Sequence, residues 1–188
     1  MMKKFLFSLM ALALSVSFAC SAKGLQFEGV IGMNVANFDA SGASSRIGFH
    51  LGVRGTTMFG AQNSGLYGNV AALLSLKGAT AADITFNPYY LEIPVHMGYK
   101  YGITDDVAIF GEFGPYFGIG LFGTTEGEDV FGDEVGCRRF DMGLGLRAGF
   151  EFKQKCSVSL GYDFGLTDIS SEGSLKNRNF TVSVGYKF

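Results

Sequence analysis

The sequence has no tryptophan, and it has little proline, cysteine, histidine and charge. Charged residues make up 17% of the chain, against roughly 25% in soluble domains, so a fully solvated surface is not expected. The net charge of −2 argues against a nucleic-acid partner, because such proteins carry basic surfaces. The two histidines and three cysteines are scattered and lack the spacing of metal ligands. We therefore expect no metal or other cofactor.

Glycine and aromatic residues are abundant instead. The 188 residues include 28 glycines, 19 phenylalanines and 8 tyrosines. Glycine weakens helices, whereas aromatic side chains suit pleated surfaces, so the composition favours strands. The length suits a single domain with a sizeable core.

A secretory signal peptide is predicted at residues 1–22, "MMKKFLFSLMALALSVSFACSA". Its lysines precede an apolar run, and small residues near Ala22 provide a cleavage site. The run is shorter than the roughly 20 residues that a spanning helix needs. Cys20 raises the alternative of a lipoprotein, but no aliphatic residue stands three positions before it. Residues 23–188 form the predicted mature domain, and no 18 consecutive residues in it are apolar.

Beyond residue 25, apolar and polar residues alternate with a period of two, which is typical of strands with two different faces. The final stretch, "NFTVSVGYKF", alternates throughout, with Phe180 and Phe188 at the two ends of its apolar face. We predict eight such strands, at residues 26–38, 47–58, 65–78, 88–101, 107–122, 139–153, 156–168 and 179–188.

The connections between these strands alternate in length. Those after the second, fourth and sixth strands are short ("FGAQNSG", "GITDD" and "KQK"), and the others are longer. An even number of strands with short turns at one end and longer loops at the other is the pattern of an outer-membrane barrel. We predict an all-β fold, an eight-stranded antiparallel up-and-down transmembrane β-barrel. Both termini and the short turns then lie in the periplasm, and the long loops lie outside the cell.

The polar faces of the strands favour the same class. They consist mostly of glycine and serine with isolated charges. These charged side chains are too few for a well solvated exterior. If they point inward, the apolar faces meet lipid and the small residues fill a narrow lumen. A soluble periplasmic barrel of the lipocalin type is the alternative, because it would bury its apolar face.

Two motifs carry a family resemblance. The segment "YLEIP" at Tyr90–Pro94 and the segment "GPY" at Gly114–Tyr116 resemble those of the outer-membrane β-barrel family abundant in Bacteroidetes, often labelled the porin family. Weaker similarity extends over nearly the whole mature chain. The resemblance implies a small barrel without known catalytic residues. It also implies that the terminal Phe188 is a signal read by the barrel-assembly machinery.

Two prolines are unexpected inside the strands of a closed barrel. Pro94 and Pro115 lack an N–H, and a closed barrel offers no edge strand on which to place them. We therefore expect a β-bulge or a widened pair at each of them.

The charged residues on the inward faces form the candidate site. Eight strands leave an interior just wide enough to be filled by side chains, and a buried charge needs a partner. We predict a salt-bridged lumen that excludes water and fixes the strand register; a narrow proton or ion path is the alternative. The predicted luminal charge network consists of Glu92, His96, Lys100, Glu112, Asp141, Arg147, Glu151 and Asp163. The same faces carry Glu28, His50, Arg54, Lys77 and Lys187.

Catalysis is a weaker alternative. Some outer-membrane barrels modify lipids with a histidine next to a serine or carboxylate at the outer rim. For His96 we expect a luminal partner such as Glu112, whereas His50 lies nearer the outer end, close in sequence to Ser44 and Ser45. We nevertheless predict no catalytic residue.

Several further motifs have ordinary interpretations. Cys137 and Cys156 fall at opposite ends of the predicted barrel, beyond the reach of a disulfide, so we predict two free thiols. "GIGLFG" at residues 118–123 matches a dinucleotide fingerprint but lies inside a strand. "NFT" at Asn179 is a glycosylation sequon by pattern only. The acidic loop at residues 126–134 is expected to be solvated, with a cation site as the alternative.

The sequence therefore predicts a non-enzymatic outer-membrane barrel with a structural or surface role, such as adhesion or envelope integrity. The alternatives are a small pore or transporter, a lipid-modifying enzyme and a soluble binding barrel. We expect a monomer whose partners are outer-membrane lipid, lipopolysaccharide and, during biogenesis, the barrel-assembly machinery.

Overall fold

The computed structural model describes residues 24–38, 44–61, 63–77, 79–81, 84–125, 128–131, 138–168 and 176–188. Within these ranges no helix is long and apolar enough to cross a membrane. The strands are β1 (Gln26–Phe38), β2 (Ser44–Met58), β3 (Gly65–Leu76), β4 (Ala79–Ala81), β5 (Ile84–Gly102), β6 (Val107–Thr125), β7 (Glu128–Asp129), β8 (Phe140–Phe152), β9 (Cys156–Gly165) and β10 (Asn177–Lys187).

The eight long strands form a closed antiparallel barrel. Each pairs with its neighbours in the order β1, β2, β3, β5, β6, β8, β9, β10. β10 then pairs with β1, from Glu28–Lys187 to Phe38–Asn177. This pairing leaves none of the eight with an open edge. The predicted eight-stranded barrel is confirmed.

Two short strands, β4 and β7, were not predicted. β4 pairs with both β2 and β5, and β7 pairs with the end of β6. Both lie at the end of the barrel with the longer connections, which we call the outer end. β5 and β6 each have 19 residues, so they exceed the roughly 9–11 residues that cross a bilayer. Both strands are therefore longer than a bilayer crossing requires.

The barrel is apolar outside and polar inside. Outward side chains such as Ile31 and Met97 are 64% and 62% exposed. Inward polar side chains such as Asn34 and Asp141 are fully buried. In β10, the apolar face from Phe180 to Phe188 is exposed, as the alternation predicted. A soluble barrel has the opposite arrangement.

β3 resolves an ambiguity of the sequence, in which Leu73 and Leu74 are adjacent. Leu73 points inward and is 2% exposed, together with Tyr67 and Asn69 on the same face. β3 therefore contributes a mixed apolar and polar face to the lumen, which the alternating pattern did not predict.

Neither proline forms a β-bulge, but strand pairing is interrupted beside both of them, in keeping with the expected alternative of a widened pair. The β5–β6 register stays in phase from Pro94–Tyr116 to Met97–Phe113, although the ladder is interrupted between these pairs. Such a gap is expected where proline removes a donor. Pro115 pairs with Leu144 of β8 without a shift.

The bulge lies further along the same hairpin. Tyr89 and Tyr90 are consecutive, but their partners are Phe122 and Gly120, so Leu121 is the extra residue of β6. As a result Leu121 and Phe122 are both exposed, and the alternation restarts beyond them. The bulge changes the direction of the outer end of β6.

Candidate functional site in the barrel lumen

All eight residues of the predicted luminal charge network point inward and are buried. Each is at most 6% exposed. They lie in three layers, at the inner end, in the middle and at the outer end of the lumen. Because a charge without a partner is costly in such surroundings, the contacts within each layer decide what the lumen can do.

The inner layer is centred on Glu151 of β8. Its carboxylate accepts hydrogen bonds from Lys100 Nζ at 2.7 Å and 2.8 Å and from Lys187 Nζ at 2.6 Å. Lys187 Nζ also donates to Gln26 Oε1 at 3.1 Å. One carboxylate thus links β5, β8, β10 and β1 across the inner end of the barrel.

A second pair lies beside this layer. Arg54 donates to Glu28 at 3.2 Å, and the Ser157 hydroxyl donates to the other oxygen of Glu28. A cavity of about 20 Å³ lies among Glu28, Arg54, Lys100 and Glu112. This volume holds about one water molecule.

The middle layer is centred on Glu112 of β6. It accepts hydrogen bonds from Tyr67 at 2.9 Å and Asn69 at 2.7 Å, and His96 Nδ1 lies 3.1 Å from its other oxygen. The predicted proximity of His96 and Glu112 is therefore found. Tyr67 and Asn69 were not predicted, because the adjacent Leu73 and Leu74 make the inward face of β3 ambiguous in the sequence.

Asp163 of β9 belongs to the same layer, two strands away from β6 around the barrel. Arg147 lies 3.9 Å from its Oδ1, and Asn179 donates to its Oδ2 at 3.2 Å. Asn179, the residue of the sequon, is 1% exposed. It therefore belongs to the interior of the barrel.

The outer layer surrounds Lys77, which is 1% exposed. Its ammonium contacts Glu92, lies 3.8 Å from Asp141 and sits 4.6 Å from the centre of the Tyr116 ring. Asp141 accepts further hydrogen bonds from three donors, which are Tyr116 at 3.2 Å, Asn177 at 2.8 Å and Thr167 at 3.2 Å.

An apolar cap of Val130 and Phe131 covers this layer. Both side chains are buried, and the Phe131 ring meets Tyr90 edge-on at 5.8 Å. The Arg139 guanidinium lies over the Phe131 ring, 4.9 Å from its centre, and 3.7 Å from Asp129. Residues 128–131, the described part of the acidic loop, thus fold back over the outer mouth. The composition of the loop does not predict this arrangement.

His50 makes different contacts from those considered in the sequence. Its Nε2 accepts from the Ser183 hydroxyl at 2.9 Å, and its Nδ1 donates to Asn34 Oδ1 at 2.5 Å. The backbones of Ser44 and Ser45 instead pair with β4. We call Asn34, His50 and Ser183 the seam clasp, because they join β1, β2 and β10 where the last strand meets the first.

Gly32 makes the seam clasp possible. A Cβ at this position would lie 2.5 Å and 2.6 Å from atoms of the His50 ring, and 2.3 Å from the Val182 carbonyl oxygen. The imidazole therefore crosses β1 directly over Gly32 to reach Ser183. The serine, histidine and asparagine resemble a hydrolytic triad in connectivity, but all three are at most 4% exposed and face the lumen.

The remaining candidates take no part in this site. Cys156 is a free and exposed thiol at the inner end, and Cys137 and Cys20 lie outside the described residues. The "GIGLFG" segment lies within β6. No group of three potential metal ligands occurs in the described part of the chain.

Known outer-membrane proteins resemble this chain in sequence and in fold. The family described as "Outer membrane protein beta-barrel domain" matches residues 6–188. Neisserial surface protein A (NspA) superposes with a TM-score of 0.56 at 15% identity, covering 88% of this chain and 100% of that chain. The outer membrane enzyme PagL superposes with a TM-score of 0.56 at 13% identity, covering 84% of this chain and 98% of that chain.

A third similar structure is Ail, the attachment invasion locus protein of Yersinia pestis, with a TM-score of 0.47 at 17% identity, covering 88% of this chain and 100% of that chain. The search of curated proteins found no matching sequence. Identities this low show a shared fold and nothing about a shared role.

Proposed function

Because the chain belongs to the outer membrane protein beta-barrel domain family, we propose that it serves the outer membrane as a structural or surface-interaction protein without enzymatic activity. In this role the barrel anchors the long connections of the outer end at the cell surface. Those connections contact the surroundings, and the barrel wall supports the integrity of the envelope.

The observation that supports this proposal best is the pairing of the luminal charges. Among the described residues, six inward carboxylates each contact at least one donor or cation. They are Glu28, Glu92, Glu112, Asp141, Glu151 and Asp163. Eight strands enclose an interior just wide enough for side chains. A lumen cross-linked in this way favours a plug over an ion pathway.

The enzyme alternative has less support. PagL is named as an enzyme, but the hydroxyl–imidazole pair of this chain, Ser183 and His50, lies inside the lumen. A lipid substrate meets the outer wall of a barrel. The pair therefore suits a structural role better than catalysis.

We also propose an orientation of the barrel in the membrane. Residues 1–22 direct export and are removed, the short turns and the termini face the periplasm, and the outer end faces the medium. The barrel acts as a monomer in contact with outer-membrane lipid. Phe188 serves as the signal for the barrel-assembly machinery.

Labelling of single cysteines on intact cells tests this orientation. In a Cys137→Ser/Cys156→Ser background, Thr124→Cys places a thiol near the end of β6, where Thr124 is exposed, and Gln154→Cys places one in the turn at the opposite end. We expect a membrane-impermeant maleimide to label the first variant on intact cells and the second only after lysis. The reverse result would overturn the proposed orientation.

Attachment and envelope assays test the role itself. We expect a strain without this protein to lose surface attachment or resistance to detergent, and the wild-type gene to restore it. We also expect His50→Gln and Ser183→Ala variants that reach the membrane to restore it fully. A phenotype that depends on these two side chains at equal protein levels would favour an enzyme.

A further inference from the structure

A lysine and two carboxylates from three different strands meet in the outer layer of the lumen. Glu92 of β5 and Asp141 of β8 lie in one row around the barrel wall, because both pair with Gly118 of β6. Gly118 places no side chain between them. Lys77, which follows β3, reaches into this row, where its Nζ contacts Glu92 and lies 3.8 Å from Asp141 Oδ2.

The contact between Lys77 and Glu92 differs from that of Lys100 in the inner layer. Lys100 Nζ donates hydrogen bonds to both oxygens of Glu151, at 2.7 Å and 2.8 Å. Lys77 Nζ and Glu92 Oε1 touch instead, and neither atom makes a hydrogen bond with a residue that the structure describes. A buried ion pair without good hydrogen bonds does not offset the desolvation of its charges. The arrangement therefore suits a reaction between the two groups better than a lasting ion pair.

The surroundings of Lys77 exclude water. Lys77 is 1% exposed and Asp141 is fully buried. The Tyr116 ring faces the ammonium at 4.6 Å, and the buried side chains of Val130 and Phe131 cover the layer. A closed site of this kind protects reactive intermediates from hydrolysis. It also favours a condensation, because the neutral product removes two buried charges and the released water leaves.

Asp141 is placed to carry a proton during such a reaction. Its carboxylate accepts hydrogen bonds from Tyr116, Asn177 and Thr167, which hold it beside Lys77 Nζ. A positioned carboxylate acts as a general base toward an attacking amine. Fixing the amine against its target in the folded barrel makes the reaction intramolecular, which lowers its entropic barrier.

We propose that Lys77 and Glu92 join in an intramolecular amide bond once the barrel has folded. The Lys77 ammonium gives one proton to Asp141, and the resulting amine attacks Cδ of Glu92. The Nζ–Cδ bond forms and one Cδ–O bond breaks. The departing oxygen takes the second proton from the nitrogen and the proton held by Asp141, so that one water molecule leaves. No electron is transferred, and no co-reactant is needed.

The bond would link β3 to β5 through the interior of the barrel. It lies directly under the cap of Val130 and Phe131, so the outer layer of the plug becomes covalent. Asp141 keeps its three neutral donors after the reaction. The cross-link requires only the folded barrel and is independent of the orientation in the membrane and of the surface role.

Peptide mass spectrometry of the folded protein tests the bond. The full chain is purified in folded form from membranes, then denatured and digested with trypsin, which cleaves after lysine and arginine. Arg54, Lys77 and Lys100 are successive cleavage sites. A Lys77 that carries an amide is not cleaved. We therefore expect residues 55–100 as one peptide that is lighter than its sequence by one water, about 18 Da, with fragmentation placing the link between Lys77 and Glu92.

Four variants identify the groups that react. Lys77→Arg keeps a cation but lacks the amine nucleophile, and Glu92→Gln has no carboxylate, so neither should lose water. The matched control is Lys100→Arg, which changes the hydrogen-bonded lysine of the inner layer and should still lose water. Asp141→Asn should form the bond about 100-fold more slowly, followed after a pulse of isotope-labelled amino acids. Heat-modifiable gel mobility confirms that each variant is folded.

Two results would overturn the bond. The first is tryptic cleavage after Lys77 in the folded wild type, with both halves at full mass, which would show that the pair is ionic only. The second is a water loss that persists in Lys77→Arg or Glu92→Gln. An Asp141→Asn variant that forms the bond at the wild-type rate would overturn the role of Asp141. The wild-type digest decides whether the bond exists without any variant having to fold.

Discussion

Removing the hydroxyl of Ser183 should weaken the closure of the barrel. In Ser183→Ala, His50 Nε2 loses the donor that lies at 2.9 Å and remains buried. An unpaired buried polar group costs about 1–3 kcal/mol. His50→Ala leaves both Asn34 and Ser183 without this partner, so we expect about 2–6 kcal/mol.

The chain provides a matched control two residues away. Thr181 also lies in β10, is 3% exposed and has a hydroxyl without a hydrogen-bond partner. Thr181→Val removes that hydroxyl while keeping the side-chain shape, so its stability should be unchanged or slightly higher.

Reversible urea unfolding in lipid vesicles, followed by far-UV circular dichroism, measures these free energies. Because Ser183 and His50 share one interaction, the double variant should fall short of the summed single losses by about 0.5–3 kcal/mol. Equal effects of Ser183→Ala and Thr181→Val, or additive losses in the double variant, would refute the seam clasp.

Two further changes test other parts of the barrel. Lys153 and Gln154 have φ values of 50° and 56°, a backbone conformation that favours asparagine and glycine. The variant Lys153→Asn/Gln154→Gly should therefore raise the free energy of unfolding by about 1 kcal/mol. A decrease would contradict the turn geometry. Glu151→Ala leaves Lys100 and Lys187 without their shared partner and should cost about 3–5 kcal/mol in the same assay. A cost under about 1 kcal/mol would show that water replaces the carboxylate.

Much of the fold could be predicted from the period of the side chains. A period of two places Phe180 and Phe188 on one face and Lys187 on the other, and no other regular structure fits that pattern. The alternation also assigned Glu112, Glu151 and the other inward charges to one side of the sheet. The even number of strands and the alternating loop lengths predicted that the sheet closes into a barrel.

The pairing of luminal residues was harder to predict, because it depends on register and on reach across the lumen. Ser183 lies 133 positions from His50 in the sequence. The two residues meet because β10 and β2 both pair with β1, and because Gly32 has no side chain that would block the His50 ring. Ser44 and Ser45 are closer in sequence but diverge toward β4. Sequence proximity was therefore a poor guide to the partner of His50.

The outer end was the least predictable part. β4 and β7 have three and two residues, too few for a periodic signal. Phe131 looked like one aromatic residue in an acidic loop, yet it folds back onto Tyr90 because the outer mouth offers an apolar surface. The bulge at Leu121 shifts the alternation in the middle of β6, which a single period cannot represent.

Electrical conductance in planar lipid bilayers tests the central claim most directly. Insertion of the purified, heat-modifiable barrel should leave the conductance at the level of the protein-free bilayer, because the paired charges of Glu151, Glu112 and Lys77 span the lumen in three layers. A steady open channel of the wild-type protein, with a conductance that rises with salt concentration, would contradict the account.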